Sequence, residues 1–245
     1  MFASSTFASV IPYNTTECVP QIAAKWKLFV NGNIKIPETE TGSMVEFDIT
    51  GMVNMMKDYL NQVEAPLIAM DDLLFKFHTA PLCVAMYADE KGPNASAISD
   101  LAVLFGFNLL HDLQDKWNID GETGIKIILS HEYAHVMQER KNIPFNFPLK
   151  LVAQKRKELQ ADCVAGILLT FHYPKGKVIV ESDEIMRFLA DHHAIGDHGT
   201  YTERREAILT GMQEAIKFKL AGKNISNITS NNMFSACSEK YPGIP

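Results

Sequence analysis

Ser130-His131-Glu132-Tyr133-Ala134-His135-Val136 constrains this chain more than any other stretch. Two histidines four residues apart stand on one face of an α-helix, one turn from each other, where both imidazoles can reach a single metal ion. Glu132 falls beside that face, next to any water the ion holds. Ile125, Ile128, Leu129, Ala134, Val136 and Met137 recur at helical spacing around the polar stripe, which predicts a helix over 122–140. The plainer alternative is a buried helix whose histidines satisfy neighbouring carbonyls.

Two histidines do not make a stable catalytic site, because a catalytic zinc takes three protein ligands and keeps a fourth position for water. The third donor has to come from another element. Lys141-Asn142 and Pro144 end the first helix, and Pro148 opens a second, predicted over 149–171. It carries Glu158 and Asp162 one turn apart on one face, ahead of the apolar Val164, Ile167, Leu168 and Leu169. Two acids so placed are costly to bury without cations beside them, and a metal with its histidines would supply those. A solvent-facing acid pair beside Lys155 and Lys157 is the other reading.

These residues resemble the bacterial neutral zinc metallopeptidase family, of the gluzincin type. His131-Glu132-x-x-His135 followed by Glu158-Leu-Gln-Ala-Asp162-Cys-x-Ala-Gly166 is similar to the family's two metal-site helices. Asp197-His198-Gly199-Thr200-x-x-x-Arg204-Arg205 is similar to its downstream His-Gly-Thr/Ser element and to the His-Pro-plus-arginine element of CAAX-type relatives. Pro93-Asn94-Ala95 before residues 101–110 resembles the loop and strand ahead of the metal helix in those relatives. The likeness covers residues 90–215 and does not extend to the first 80.

The resemblance implies an α+β fold: a mainly helical, minigluzincin-like catalytic domain over 81–221, with a small β-sheet flanking the His-Glu-x-x-His helix. An N-terminal segment over 1–80, with a β-hairpin and a helix, would pack on it, and 222–245 would be a polar tail. It further implies a zinc-dependent peptidase acting on peptides or proteins, with one zinc ion on His131, His135 and Glu158. Glu132 would be the general base. Asp162 would accept from the other ring nitrogen of His131. His198 would donate to the developing oxyanion, held by Asp197 or Arg204, with His192 and His193 as alternatives. A strand over 101–107 would pair with an extended substrate. The competing readings are an inactive zinc-stabilised binding or regulatory protein, and a zinc hydrolase of a non-protein amide. Glu132 speaks against the first, because a structural zinc site has no need of a carboxylate beside the water position.

The net charge of −6 and a pI near 5.8 leave no nucleic-acid footprint, and the basic run Lys155-Arg156-Lys157 reads as a solvated face. The longest apolar runs, 164–171 and 101–110, fall short of the roughly 20 residues of a transmembrane helix. The first sixteen residues lack the basic start and apolar block of a signal peptide. The expectation is a soluble chain, cytoplasmic or exported with its signal or anchor absent from this sequence. Members of the family often begin with such an anchor. The sequence is silent on oligomeric state.

Cys18 and Cys237 are placed to staple the termini in an oxidising compartment, while Cys83 and Cys163 read as core thiols. The sequons at Asn14, Asn94, Asn224 and Asn227 read as coincidental. Remaining expectations are a hairpin over 26–36 around Asn31-Gly32, and a helix over 52–63 capped by Asp48 or Thr50 and ended by Pro66. Strands are expected over 81–87 and 101–107, a turn-rich loop over 89–99, and helical stretches over 73–77, 112–117, 182–191 and 202–220.

Overall fold

The computed structural model describes residues 28–29, 33–37, 44–70, 82–87, 94–99, 101–115, 121–143, 150–172 and 198–242. In chain order these form β1 (Leu28–Phe29), β2 (Asn33–Pro37), β3 (Met44–Asp48), α1 (Ile49–Met70), β4 (Cys83–Tyr87), β5 (Ala95–Ile98) and β6 (Ala102–Gly106). There follow α2 (Phe107–Asp115), α3 (Gly121–Arg140), α4 (Lys150–His172), α5 (Tyr201–Leu220), a 3-10 turn (Ile225–Asn227) and α6 (Ser230–Ser238). The arrangement is α+β and mainly helical. Cys18, the lead-in over 1–21, the helical stretches over 73–77 and 182–191, and Asp197, His192 and His193 lie outside the described residues.

The apolar runs at 83–87 and 102–106 are buried along their whole length, as expected of strands covered on both faces. They pair in parallel at the centre of a sheet of order β1-β4-β6-β5, whose outer pairs are antiparallel. Among the described residues, β5 is a half-buried edge strand. It corrects the loop expected over 89–99: Ala95-Ser96-Ala97 are weak strand formers, and pairing with β6 rather than propensity makes them a strand. β6 lies between β4 and β5, so the strand over 101–107 cannot receive a peptide.

The turn of the hairpin expected over 26–36 around Asn31-Gly32 lies outside the described residues; among these, β1 pairs with β4 and β2 with β3. α1 runs through Pro66 to Met70, held by the buried stripe Ile49, Val53, Met56, Leu60 and Val63. Packing of that face outweighs the backbone bond a proline removes. Its cap is Asp48, whose Oδ1 accepts from the Gly51 amide at 2.9 Å.

Of the polar tail expected over 222–245, the described residues 222–242 fold back instead. Met233, Phe234, Cys237 and Tyr241 fall at helical spacing among asparagines and serines, and all four are buried. Cys237 is bonded to Cys163 on α4, with the Cα atoms 5.9 Å apart, and not to Cys18. Cys83 is disulfide-bonded as well, so neither it nor Cys163 is a free core thiol.

α3 sits at the centre, packed by α4, β5, β6, α1 and α2. α4 and α5 meet backbone to backbone. A Cβ at Gly211 would stand 1.8 Å from the Cys163 carbonyl oxygen, and one at Gly166 2.2 Å from that of Ile208. Glycine at both positions lets the helices close and carries Arg204, in the first turn of α5, onto α4. Thr200 starts α5 with a capping box to Glu203. Among the described residues, no helix is long and apolar enough to cross a membrane.

Candidate metal centre

His131 and His135 face α4 from the middle of α3, one turn apart as their spacing requires, and both are buried. Their Nε2 atoms lie 3.1 Å apart. Glu158 of α4 brings Oε2 to 3.2 Å from each. In a tetrahedral zinc site with bonds of about 2.0–2.2 Å, ligand atoms stand roughly 3.3–3.6 Å from one another, within a few tenths of an ångström of this triangle. Among the described residues this is the group of histidine and carboxylate donors that converges in this way.

The outer ring nitrogens are already committed. His131 Nδ1 donates to Asp162 Oδ1 at 2.8 Å, and His135 Nδ1 donates to Gln138 Oε1 at 2.7 Å. With both Nδ1 atoms protonated, the neutral rings turn two lone pairs on Nε2 towards each other and towards a carboxylate. Three acceptors packed at hydrogen-bond distance repel unless a cation or a proton lies among them. Gln154 Nε2 donates to the remaining Glu158 oxygen at 2.7 Å and holds that carboxylate in place.

Asp162 is held twice. Arg204 donates from Nε to Oδ2 and from Nη2 to Oδ1, each at 2.9 Å, with both side chains fully buried. Arg204 therefore anchors Asp162. Arg205, next to it, is exposed. Burial pushes the Asp162 carboxyl up, but Arg204 and then His131 outweigh it and hold the group below the usual carboxylate range. Glu158 behaves alike: burial raises it, while His135 and His131 pull it well below its ordinary value.

Burial disfavours the His131 cation, yet the Asp162 carboxylate and the hydrogen bond to Glu158 prevail and lift its pKa to about 10. A raised pKa means protonation of His131 stabilises the metal-free fold fully below the unfolded value near 6.5, a contribution lost as pH rises through about 10. An incoming cation must displace that proton. Titration of zinc into metal-free protein at pH 7 is thus expected to release about one proton per ion, visible as a heat that scales with buffer ionisation enthalpy. A heat independent of the buffer would rule this out.

Glu132, on the cleft side, accepts the Ala97 amide at Oε2, 2.7 Å away. The edge strand thereby reaches the carboxylate predicted to act as base. His198 stands across the cleft with Nε2 3.7 Å from Glu158 Oε1 and its side chain about one-third exposed. Asn94, Ser96, Glu139, Gln154 and Lys157 add to the polar lining.

The described residues thus bring His131, Glu132, His135, Glu158, His198 and Arg204 to one cleft, with Asp162 buried behind His131. Sequence reasoning missed Gln138, Gln154 and the Ala97 amide. Gln138 had a readable signal, since it stands three residues after His135 on the same helix. Comparisons of the chain with protein-family models, curated proteins and solved structures found no match.

Proposed function

We propose that this protein is a zinc-dependent peptidase of the gluzincin type. The observation that carries the reading is the convergence of three buried acceptor atoms, two of them on imidazoles whose outer nitrogens are already bonded. His131, His135 and Glu158 would hold the ion. Glu132, which lines the same cleft, favours a catalytic over a structural site.

Zinc bound there would supply a Lewis acid that makes a water acidic near neutral pH and polarises a carbonyl. Glu132 would be the group that takes the proton from the attacking water and delivers it to the departing amine. His198, whose Nε2 stands 3.7 Å from Glu158 Oε1, would donate to the oxygen that gains charge as the carbonyl is attacked. β5 offers the substrate a backbone edge. The Asn94 carbonyl accepts from Gly106 of β6, so alternation turns the backbone groups of Ala95 and Ala97 outward, and the Ala97 amide indeed meets Glu132. An extended peptide laid along this edge would run past Glu132.

The test is cleavage of casein together with metal analysis. Wild type is expected to cleave, to lose activity to a chelator and to regain it with one equivalent of zinc. Glu158→Ala is expected to retain a small fraction of an ion per chain and no activity. One ion per chain in that variant would remove Glu158 from the ligand set, and a wild type that binds zinc without cutting casein would count against a general peptidase.

A further inference from the structure

His135 is tied through two buried amides to the far end of the chain. Gln138 Nε2 donates to the Lys157 carbonyl at 3.0 Å and to Gln160 Oε1 at 3.1 Å. Gln160 Nε2 donates in turn to Ser238 Oγ at 3.1 Å and to the Tyr241 carbonyl at 3.3 Å. Both glutamines are buried, and every amide hydrogen has an acceptor.

The orientations follow in one direction only. The Tyr241 carbonyl can only accept, so Gln160 must present its NH2 there and its oxygen to Gln138. Gln138, facing that oxygen and the Lys157 carbonyl, must present its own NH2 to both. Its oxygen is left for His135, which can answer only by donating from Nδ1. The lone pair of His135 then lies on Nε2, at the converging triangle. Tyr241 and Ser238 are held against α4 by α6 and by the Cys163–Cys237 bond.

We propose that Gln138 and Gln160 are positioning residues, a relay through which the docked C-terminal segment fixes the tautomer and orientation of the metal ligand His135. The proposal rests on the metal reading above. Partners that fix a ligating histidine typically contribute 10- to 100-fold in metal affinity, by about the same logic as the Asp162 contact to His131. The relay differs in coming from a segment remote in sequence, so that ligand geometry on α3 depends on whether residues 230–241 are in place.

The experiment is a zinc competition titration against a chromophoric chelator, with the absorption spectrum of the cobalt-substituted protein as a second readout. Gln138→Met is expected to weaken zinc binding by about 10- to 100-fold and to alter the cobalt bands. Gln160→Met should act in the same direction with a smaller factor, although its side chain touches no ligand. Val53→Ala, a core truncation on α1, controls for lost stability and should leave affinity unchanged. Wild-type affinity and spectrum in both methionine variants would overturn the relay, as would an equal loss in Val53→Ala. A wild type that binds neither zinc nor cobalt would instead sink the metal reading itself.

Discussion

Glu132→Gln is expected to leave the protein folded and zinc-loaded while lowering kcat by about 10²- to 10⁴-fold, the usual contribution of a positioned general base. The substitution changes almost nothing else. Glutamine has the same length, and its carbonyl oxygen can still accept the Ala97 amide that now lies 2.7 Å from Oε2. It contributes none of the three converging atoms, so metal content should hold at the wild-type ratio. What it cannot do is take a proton from water. The expected pattern is a fall in kcat with KM little changed, because on the proposed reading the peptide would be held by β5 and the metal site rather than by this carboxylate. Unchanged turnover would remove Glu132 from the chemistry. Loss of zinc would show that the carboxylate holds the site together instead.

The parts of this site that could be read from the sequence are those set by spacing within one helix. His131 and His135, or Glu158 and Asp162, need only the helical period to share a face, and the bounds of α3, α4 and α5 fall close to those expected from the apolar pattern. What the sequence hid depends on how helices and strands meet. Arg204 reaches Asp162 because Gly166 and Gly211 let two backbones touch, and neither glycine announces its partner. Ala95 to Ile98 is a strand only because β6 is beside it. The C-terminal helix looked like a tail because four buried residues are diluted among asparagine and serine. Cys237 consequently finds Cys163, which no spacing rule connects to it.

The second large effect is one of stability, expected for Arg204→Met. The guanidinium is 1% exposed and the Asp162 carboxylate 0%, so the two charges have been taken wholly out of water. Such a pair adds little net stability over an apolar pair of the same volume, but removal of one partner leaves the other buried and uncompensated. The cost is then about 3–5 kcal/mol, which for a chain of this size lowers Tm by roughly 6–20 °C. In the metal-free protein a protonated His131 still faces Asp162 and offsets part of this, so the loss should grow as pH rises towards about 10 and that proton leaves. The double variant Arg204→Met with Asp162→Leu separates two roles of the aspartate. With no buried charge left alone, it should regain most of the lost Tm. It should not regain zinc affinity, because His131 Nδ1 has lost its acceptor and the ring is no longer fixed. A single Arg204→Met variant that melts with the wild type would show that Asp162 needs no arginine. A double variant that recovers zinc binding along with stability would show that Asp162 serves α5 packing and not the metal ligand.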